Sequence, residues 1–213
     1  MGGMKFVVVD GLDGSGKDTQ ARLIRRRYEE QGYAVVVRSH PTGDNKYGRK
    51  AKKALLDRGK KARLKASLYY ALDVIHSIRN YHRQRTNWGR KKVEGNKEDV
   101  LIMVRYLVGV AYLPMPLARV LYKFFSTYLP TSRYMFFLDV KPEESLKRIA
   151  ARDGSEREMF ENEAALETVR RRALALTRNW VLVDGNGSIE ETWRQIENHL
   201  DKLDLLDEEK NSR

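Results

Sequence analysis

The chain has 213 residues, with 41 Lys and Arg against 29 Asp and Glu and a formal charge of +12, a length that suits one domain with a sizeable core. With 41% hydrophobic and 33% charged residues, the composition excludes a disordered tail or a membrane protein, and the apolar run at 100–122 is broken by Arg105, Pro114, Pro116 and Arg119. The absence of cysteine excludes a disulfide scaffold, a thiolate metal site and a Cys nucleophile.

The first residues, MGGMKFVVVDG, lack the charged start, long apolar core and cleavage site of a signal peptide, so a cytoplasmic protein is expected. Residues 5–10 (KFVVVD) form a continuous apolar run, as in a strand buried on both faces. A glycine-rich turn follows, then a helix over 17–31 closed by Gly32. Residues 34–38 (AVVVR) read as a second strand, ending at Ser39, His40 and Pro41. Helices are expected over 47–58 and 65–84, with Gly59 between them, and a polar loop over 85–97 (RTNWGRKKVEGNK). A third strand at 100–104, a helix at 117–129 and a fourth strand at 134–140 (YMFFLDV) come next. Pro142 then sits in the first turn of a helix. A charged break at 153–158 precedes a helix at 164–176 and a fifth strand at 180–184. Ser188, with Glu191 three residues on, caps a final helix to 205. Residues 207–213 are expected to be a flexible tail.

Positive charge is concentrated. Between residues 46 and 97 there are 17 Lys and Arg against Asp57, Asp73 and Glu94, a net of +14, leaving 24 bases and 26 acids elsewhere. Such a segment is either a set of solvated helix faces or a field that collects phosphate or nucleic acid.

Strands alternating with helices imply an α/β fold, a parallel sheet with helices on both faces and a ligand beyond the carboxyl ends of the strands. At that edge, Gly11-Leu12-Asp13-Gly14-Ser15-Gly16-Lys17-Asp18-Thr19 matches G-x-x-x-x-G-K between a strand and a helix, the context of a phosphate loop. Gly14 and Gly16 let backbone N–H groups turn toward phosphate oxygens, and Lys17 reaches the outer phosphates at a helix N-terminus. Gly11, Ser15, Asp18 and Thr19 complete the set expected to bind a nucleotide triphosphate. The motif asks for Ser or Thr after the lysine, yet Asp18 stands there. A carboxylate is a hard-oxygen ligand suited to Mg²⁺, which makes Asp18 the candidate metal residue.

These residues resemble the thymidylate kinase family of P-loop nucleoside monophosphate kinases. KFVVVDGLDGSGKDTQ is similar to that family's first strand and loop, and Arg38-Ser39-His40-Pro41-Thr42-Gly43 to its R-E-P-G stretch. Leu68 to Asp73, followed by His76, resembles its substrate helix, and Arg105-Tyr106 with Ala111-Tyr112 its D-R-Y segment. FFLDVKPEESLKRIAAR (136–152) is similar to the strand and helix that enter its lid, and residues 184–191 to the turn beside adenine. The resemblance implies a five-stranded P-loop NTPase domain over 1–206, with residues 46–97 as a basic substrate-binding arm and a lid at about 148–163. It implies transfer of a phosphoryl group from ATP with Mg²⁺ to a nucleoside monophosphate, most simply dTMP, and a homodimer packed through helices. By the same resemblance Lys17, Arg148 and Arg152 are catalytic, with Arg157 a further lid arginine. Asp13, Arg38, Pro41, Tyr70, Asp73 and Arg105 hold the acceptor, Tyr70 by stacking on the base, and Asn186 lies on the adenine side.

Val104 stands where the family has the D-R-Y aspartate, Val74 where it has an arginine, and Ala173 where it has a tyrosine. The lost carboxylate at Val104 and the gained one at Asp18 suggest that the Mg²⁺ ligand has moved between elements. Two other readings stay open: a kinase using polyphosphate or another nucleotide, and a nucleotide-gated nucleic-acid-binding protein whose basic arm carries Tyr81 and Trp88.

Overall fold

The computed structural model describes residues 4–56, 60–88, 97–151 and 163–211. Five strands, β1 (Lys5–Gly11), β2 (Tyr33–Ser39), β3 (Lys97–Val104), β4 (Tyr134–Asp139) and β5 (Val181–Asp184), form one sheet in the order β2-β3-β1-β4-β5. Every neighbouring pair is parallel, as the strand–helix alternation implies. The helices are α1 (Lys17–Glu30), α2 (Lys46–Leu56), α3 (Lys60–Trp88), α4 (Met115–Tyr128), α5 (Pro142–Ala150), α6 (Glu163–Leu176) and α7 (Ile189–Asn211), with a 3-10 turn at Val108–Tyr112.

Alternation along the central strands sorts the core into two faces. Val7 and Val9 join Val100, Ile102, Phe136 and Leu138 against Ala21, Ile24 and Tyr28 of α1 and Ile196 and Leu200 of α7. Phe6 and Val8 join Leu101, Met103 and Met135 against Val74 and Ile78 of α3, with Tyr122 and Phe125 of α4 beside them. Leu12 and Phe137 extend the second face toward Val169 and Ala173 of α6. The runs at β1, β3 and β4 are apolar throughout because both sides of each strand are covered.

Three expectations are corrected at their edges. Residues 85–88 are helical, since α3 meets no glycine or proline before Gly89; residues 89–96 lie outside the described residues, as do Gly59 and the charged break at 153–158. β3 begins at Lys97, where Lys97 and Asp99 pair with Tyr33 and Ala34 of β2. The expected flexible tail is instead helix through Asn211. Asp207 accepts from the Tyr134 hydroxyl at 2.6 Å and pairs with Arg133. One turn earlier, Asp204 pairs with Lys5 and accepts from Tyr28 at 3.2 Å and from Tyr134 at 2.9 Å. Hydrogen bonds to a carboxylate are stronger than neutral ones, and this cluster holds the last helix against the start of β1.

Among the described residues no helix is long and apolar enough to cross a membrane.

Candidate active site

The loop between β1 and α1 turns through two left-handed glycines, Gly14 (φ +76°) and Gly16 (φ +84°). A Cβ on Gly14 would lie 2.5 Å from the Ser145 carbonyl oxygen of α5, so only glycine allows that helix to seat on the loop. The Ser145 hydroxyl donates to the Asp13 carbonyl and strengthens the same contact. Thr19 and Gln20 both donate backbone N–H groups to the Gly16 carbonyl at 3.0 Å, which starts α1. The Ser15 Oγ is buried and has no hydrogen-bond partner among the described residues.

Lys17 is 2% exposed and reaches back over the loop, donating to the Leu12 carbonyl at 2.7 Å and to Asp13 Oδ1 at 3.4 Å. Burial, helped by the Arg105 charge, pushes its pKa down against the pull of Asp13, Asp18 and Asp10. Burial alone would raise the Asp13 pKa, but Lys17, Arg105 and the Tyr112 hydroxyl (3.1 Å) outweigh it and hold the carboxyl below its ordinary range. Asp10 behaves differently: burial raises its pKa although the Gly11, Tyr106 and Val108 amides all donate to it. It organises the two loops that leave β1 and β3.

Across the loop mouth, Arg105 has a left-handed backbone (φ +56°). Its amide donates to the Val9 carbonyl at 3.3 Å, and its own carbonyl accepts from the Tyr70 hydroxyl. The guanidinium donates to Asp18 Oδ1 at 3.2 Å and Ser39 Oγ at 3.1 Å, and lies 3.8 Å from Asp13 Oδ1. Burial alone would lower the Arg105 pKa, but Asp18 and Asp13 together raise it. A cavity of about 850 Å³ opens beside these groups, bordered by Asp13, Arg38, Pro41, Lys52, Tyr70 and Arg105. Tyr70 is thus anchored by its hydroxyl while its ring forms part of the cavity wall.

Asp73, expected at the acceptor, is placed elsewhere. It is fully buried behind the cavity wall, accepting from the Thr42 amide at 2.7 Å, the Thr42 hydroxyl at 2.7 Å, His40 Nδ1 at 2.9 Å and the Asn45 amide. It therefore shapes the loop that carries the cis His40–Pro41 peptide and has no oxygen left for a ligand. The Arg38 guanidinium, also expected at the acceptor, donates to Asp44 at 2.7 Å on the cavity rim. Val74 and Val104 are both 1% exposed and belong to the core.

Arg148, expected over the phosphates, donates to the Gly187 carbonyl at 3.0 Å, the Asn186 carbonyl at 3.3 Å and Glu144 at 2.8 Å. Its guanidinium thereby braces the turn after β5 and makes no hydrogen bond to the loop among the described residues. Asn186 is committed within that turn, donating to Asp184 at 2.6 Å and accepting from the Lys141 amide at 2.8 Å. A Cβ on Gly185 would lie 3.6 Å from the Ser15 carbonyl oxygen, so the turn does flank the phosphate loop. Arg152 and Arg157 lie outside the described residues.

Three site residues escaped the sequence reading as individuals. Ser39, His40 and Tyr112 stand inside the motifs quoted above with no role of their own. The usable signal for His40 was its place before a proline at a strand end, since its work is to hold that turn against Asp73.

The donor set fits a hard divalent cation only sparingly. Asp10 and Asp13 have their oxygens engaged by the groups above, whereas the Asp18 side chain is 50% exposed at the loop mouth. No group of three or more His, Asp or Glu side chains that could hold a metal occurs among the described residues. A Mg²⁺ here would use Asp18 together with ligand phosphates and water, its common mode of binding.

Beside the cavity, Lys46, Arg49, Lys50, Lys52 and Lys53 of α2 are exposed, and the helix contains no acid. Among the described residues, none of these five forms an ion pair with a carboxylate.

Comparison with known proteins adds an independent finding. The family profile described as Thymidylate kinase matches residues 9–196. The chain is 27% identical to "Probable thymidylate kinase" of Sulfurisphaera tokodaii over 191 residues, 88% of this chain and 90% of that one. It is 26% identical to "Thymidylate kinase" of Desulfotalea psychrophila over 168 residues, 78% of each. A more local match, 42% identical over 55 residues, joins it to "Probable thymidylate kinase" of Thermococcus gammatolerans and spans about a quarter (26%) of either protein.

Proposed function

Because the chain belongs to the thymidylate kinase family, we propose that it is a nucleoside monophosphate kinase, moving the γ-phosphoryl group of ATP onto dTMP to give dTDP and ADP. One observation carries this reading: Lys17, from the donor loop, and Arg105, beside the acceptor cavity, approach the same Asp13 oxygen at 3.4 Å and 3.8 Å. Two cations that serve opposite substrates thus flank one short gap, as an in-line transfer between two phosphates needs. An acceptor phosphate oxygen forms the new bond to the γ-phosphorus, the bond to the bridging oxygen breaks, and ADP leaves. The attacking oxygen is already ionised, so no base is required, and catalysis rests on positioning and charge neutralisation. The loop amides and Lys17 hold the donor phosphates, Arg105 takes the acceptor's phosphate, and Tyr70 and the His40–Pro41 turn wall in its nucleoside. Asp18 would hold Mg²⁺, which would supply charge neutralisation to the donor phosphates.

A coupled ADP-release assay over dTMP, dUMP, other monophosphates and polyphosphate tests the proposal. The expected result is the highest kcat/KM with dTMP; ADP release that no acceptor accelerates would overturn it. In the same assay Asp18→Ala raises the Mg²⁺ concentration needed for half-maximal rate, while Asp18→Thr restores an oxygen ligand. Unchanged Mg²⁺ dependence in both variants would remove Asp18 from the metal's shell.

The exposed cations of α2, which form no ion pair with a carboxylate among the described residues, favour a second role for the basic arm, collecting polyanions at the mouth of the cavity. Binding of a single-stranded oligonucleotide is then expected to weaken steeply with salt, about 0.7 log units per tenfold salt for each phosphate engaged. Binding that salt does not affect would leave the arm as a solvated surface.

A further inference from the structure

Asp18, Ser39 and Arg105 form a closed triangle. Asp18 Oδ1 accepts from Ser39 Oγ at 3.1 Å and from the Arg105 guanidinium at 3.2 Å, and the guanidinium also donates to Ser39 Oγ at 3.1 Å. We propose that Asp18 occupies Arg105 as a resident anion that an acceptor's phosphate has to displace, which makes it the residue that sets the affinity for a phosphorylated acceptor. The inference rests on the reading that Arg105 receives the acceptor's phosphate, and it assigns Asp18 a task on the acceptor side, apart from any metal.

The geometry decides which partner yields. The Arg105 backbone is pinned at both ends of its residue, by its amide on Val9 and by the Tyr70 hydroxyl on its carbonyl. Asp18 lies in the first turn of α1 with its side chain half-exposed, against 27% exposure for Arg105. The helix N-terminus makes an anion welcome there, yet the carboxylate is free to swing toward solvent. A phosphate dianion carries twice the charge of a carboxylate and offers more acceptor oxygens, so it wins the arginine. A neutral nucleoside brings nothing to exchange and leaves the pair closed. Acceptor binding is then an anion exchange at Arg105, and Asp18 lowers the affinity for a phosphorylated acceptor while leaving that for an uncharged one alone.

Isothermal titration without a donor nucleotide tests this, using thymidine 5′-monophosphate and thymidine as probes. Asp18→Asn keeps the shape and the contact to Ser39 but removes the charge; Asp18→Ser is a second variant of the same kind. Both are expected to tighten monophosphate binding about fivefold, the scale of one partly exposed ion pair, with thymidine affinity unchanged. The gain should vanish when Asp18→Asn is combined with Arg105→Gln. A gain that persists in the double variant, or no gain in either Asp18 variant, overturns the proposal. Arg105→Gln alone separates the two levels: weaker monophosphate binding upholds Arg105 as the phosphate ligand, whereas unchanged binding overturns that reading and this inference with it.

Discussion

Replacing Lys17 with methionine is expected to lower kcat about 10²- to 10³-fold, the cost of removing one preorganised charge from a transition state. The methionine keeps most of the apolar stem that fills the loop, so the loss reports on the ammonium and not on packing. In the free protein that ammonium is satisfied by the Leu12 carbonyl and Asp13, both of which a donor phosphate competes with when it enters. Burial lowers the Lys17 pKa and also strips away the water that would screen its charge, so an arriving anion is attracted more strongly than by a solvated lysine. Steady-state ADP release with thermal melting as a control checks the prediction. A variant within threefold of the parent rate would show that the loop amides suffice.

Asp73→Ala is expected to destabilise the fold more than any substitution at Lys17, Asp18 or Arg105, by about 2–4 kcal/mol, lowering Tm by about 10 °C for a chain of this length. It strips one carboxylate from His40, Thr42 and Asn45 at once and leaves their donors buried. Burial would raise the Asp73 pKa, but the hydrogen bonds from His40, Thr42 and Asn45 outweigh it and bring it from 3.8 down to about 2. The contribution of this group is therefore complete above about pH 4. It fades as pH falls toward 2, a difference of about 2 kcal/mol. Urea midpoints from pH 7 to pH 2 should show that slope in the parent and a shallower one in Asp73→Ala. Identical slopes would mean that the carboxylate titrates as though unfolded.

The phosphate loop was legible because its chemistry is contiguous: glycines, lysine and the flanking strand and helix lie within a dozen or so positions. The sheet was legible for a similar reason, since runs such as KFVVVD are apolar on both faces only when both faces are covered. Residues whose meaning depends on distant partners were not. Asp73 resembles a substrate ligand in its helix, and only the fold reveals that Thr42 and Asn45 consume it. Arg148 lies on the side of α5 that faces the turn after β5, a direction that spacing alone leaves open. The tail looked free because its anchors, Arg133 and Tyr134, are about 70 positions away. The Asp18–Arg105 pair spans 87 positions, so the unusual carboxylate could be seen in the sequence while its partner could not.

The strand that carries the phosphate loop comes first of the five in chain order and is the most central, lying between β3 and β4 in the sheet. Its opening lysine finds its carboxylate 199 residues later. During synthesis β1 therefore waits unpaired until β3, nearly half of the chain later, has emerged, and its near end stays unfastened until the last helix arrives. A chain with so many distant pairings folds slowly and exposes an apolar strand meanwhile. The nucleotide loop gains its seat only once α5 has been made, since Ser145 packs on Gly14 and donates to the Asp13 carbonyl, and a product truncated before α5 would carry the motif without that support.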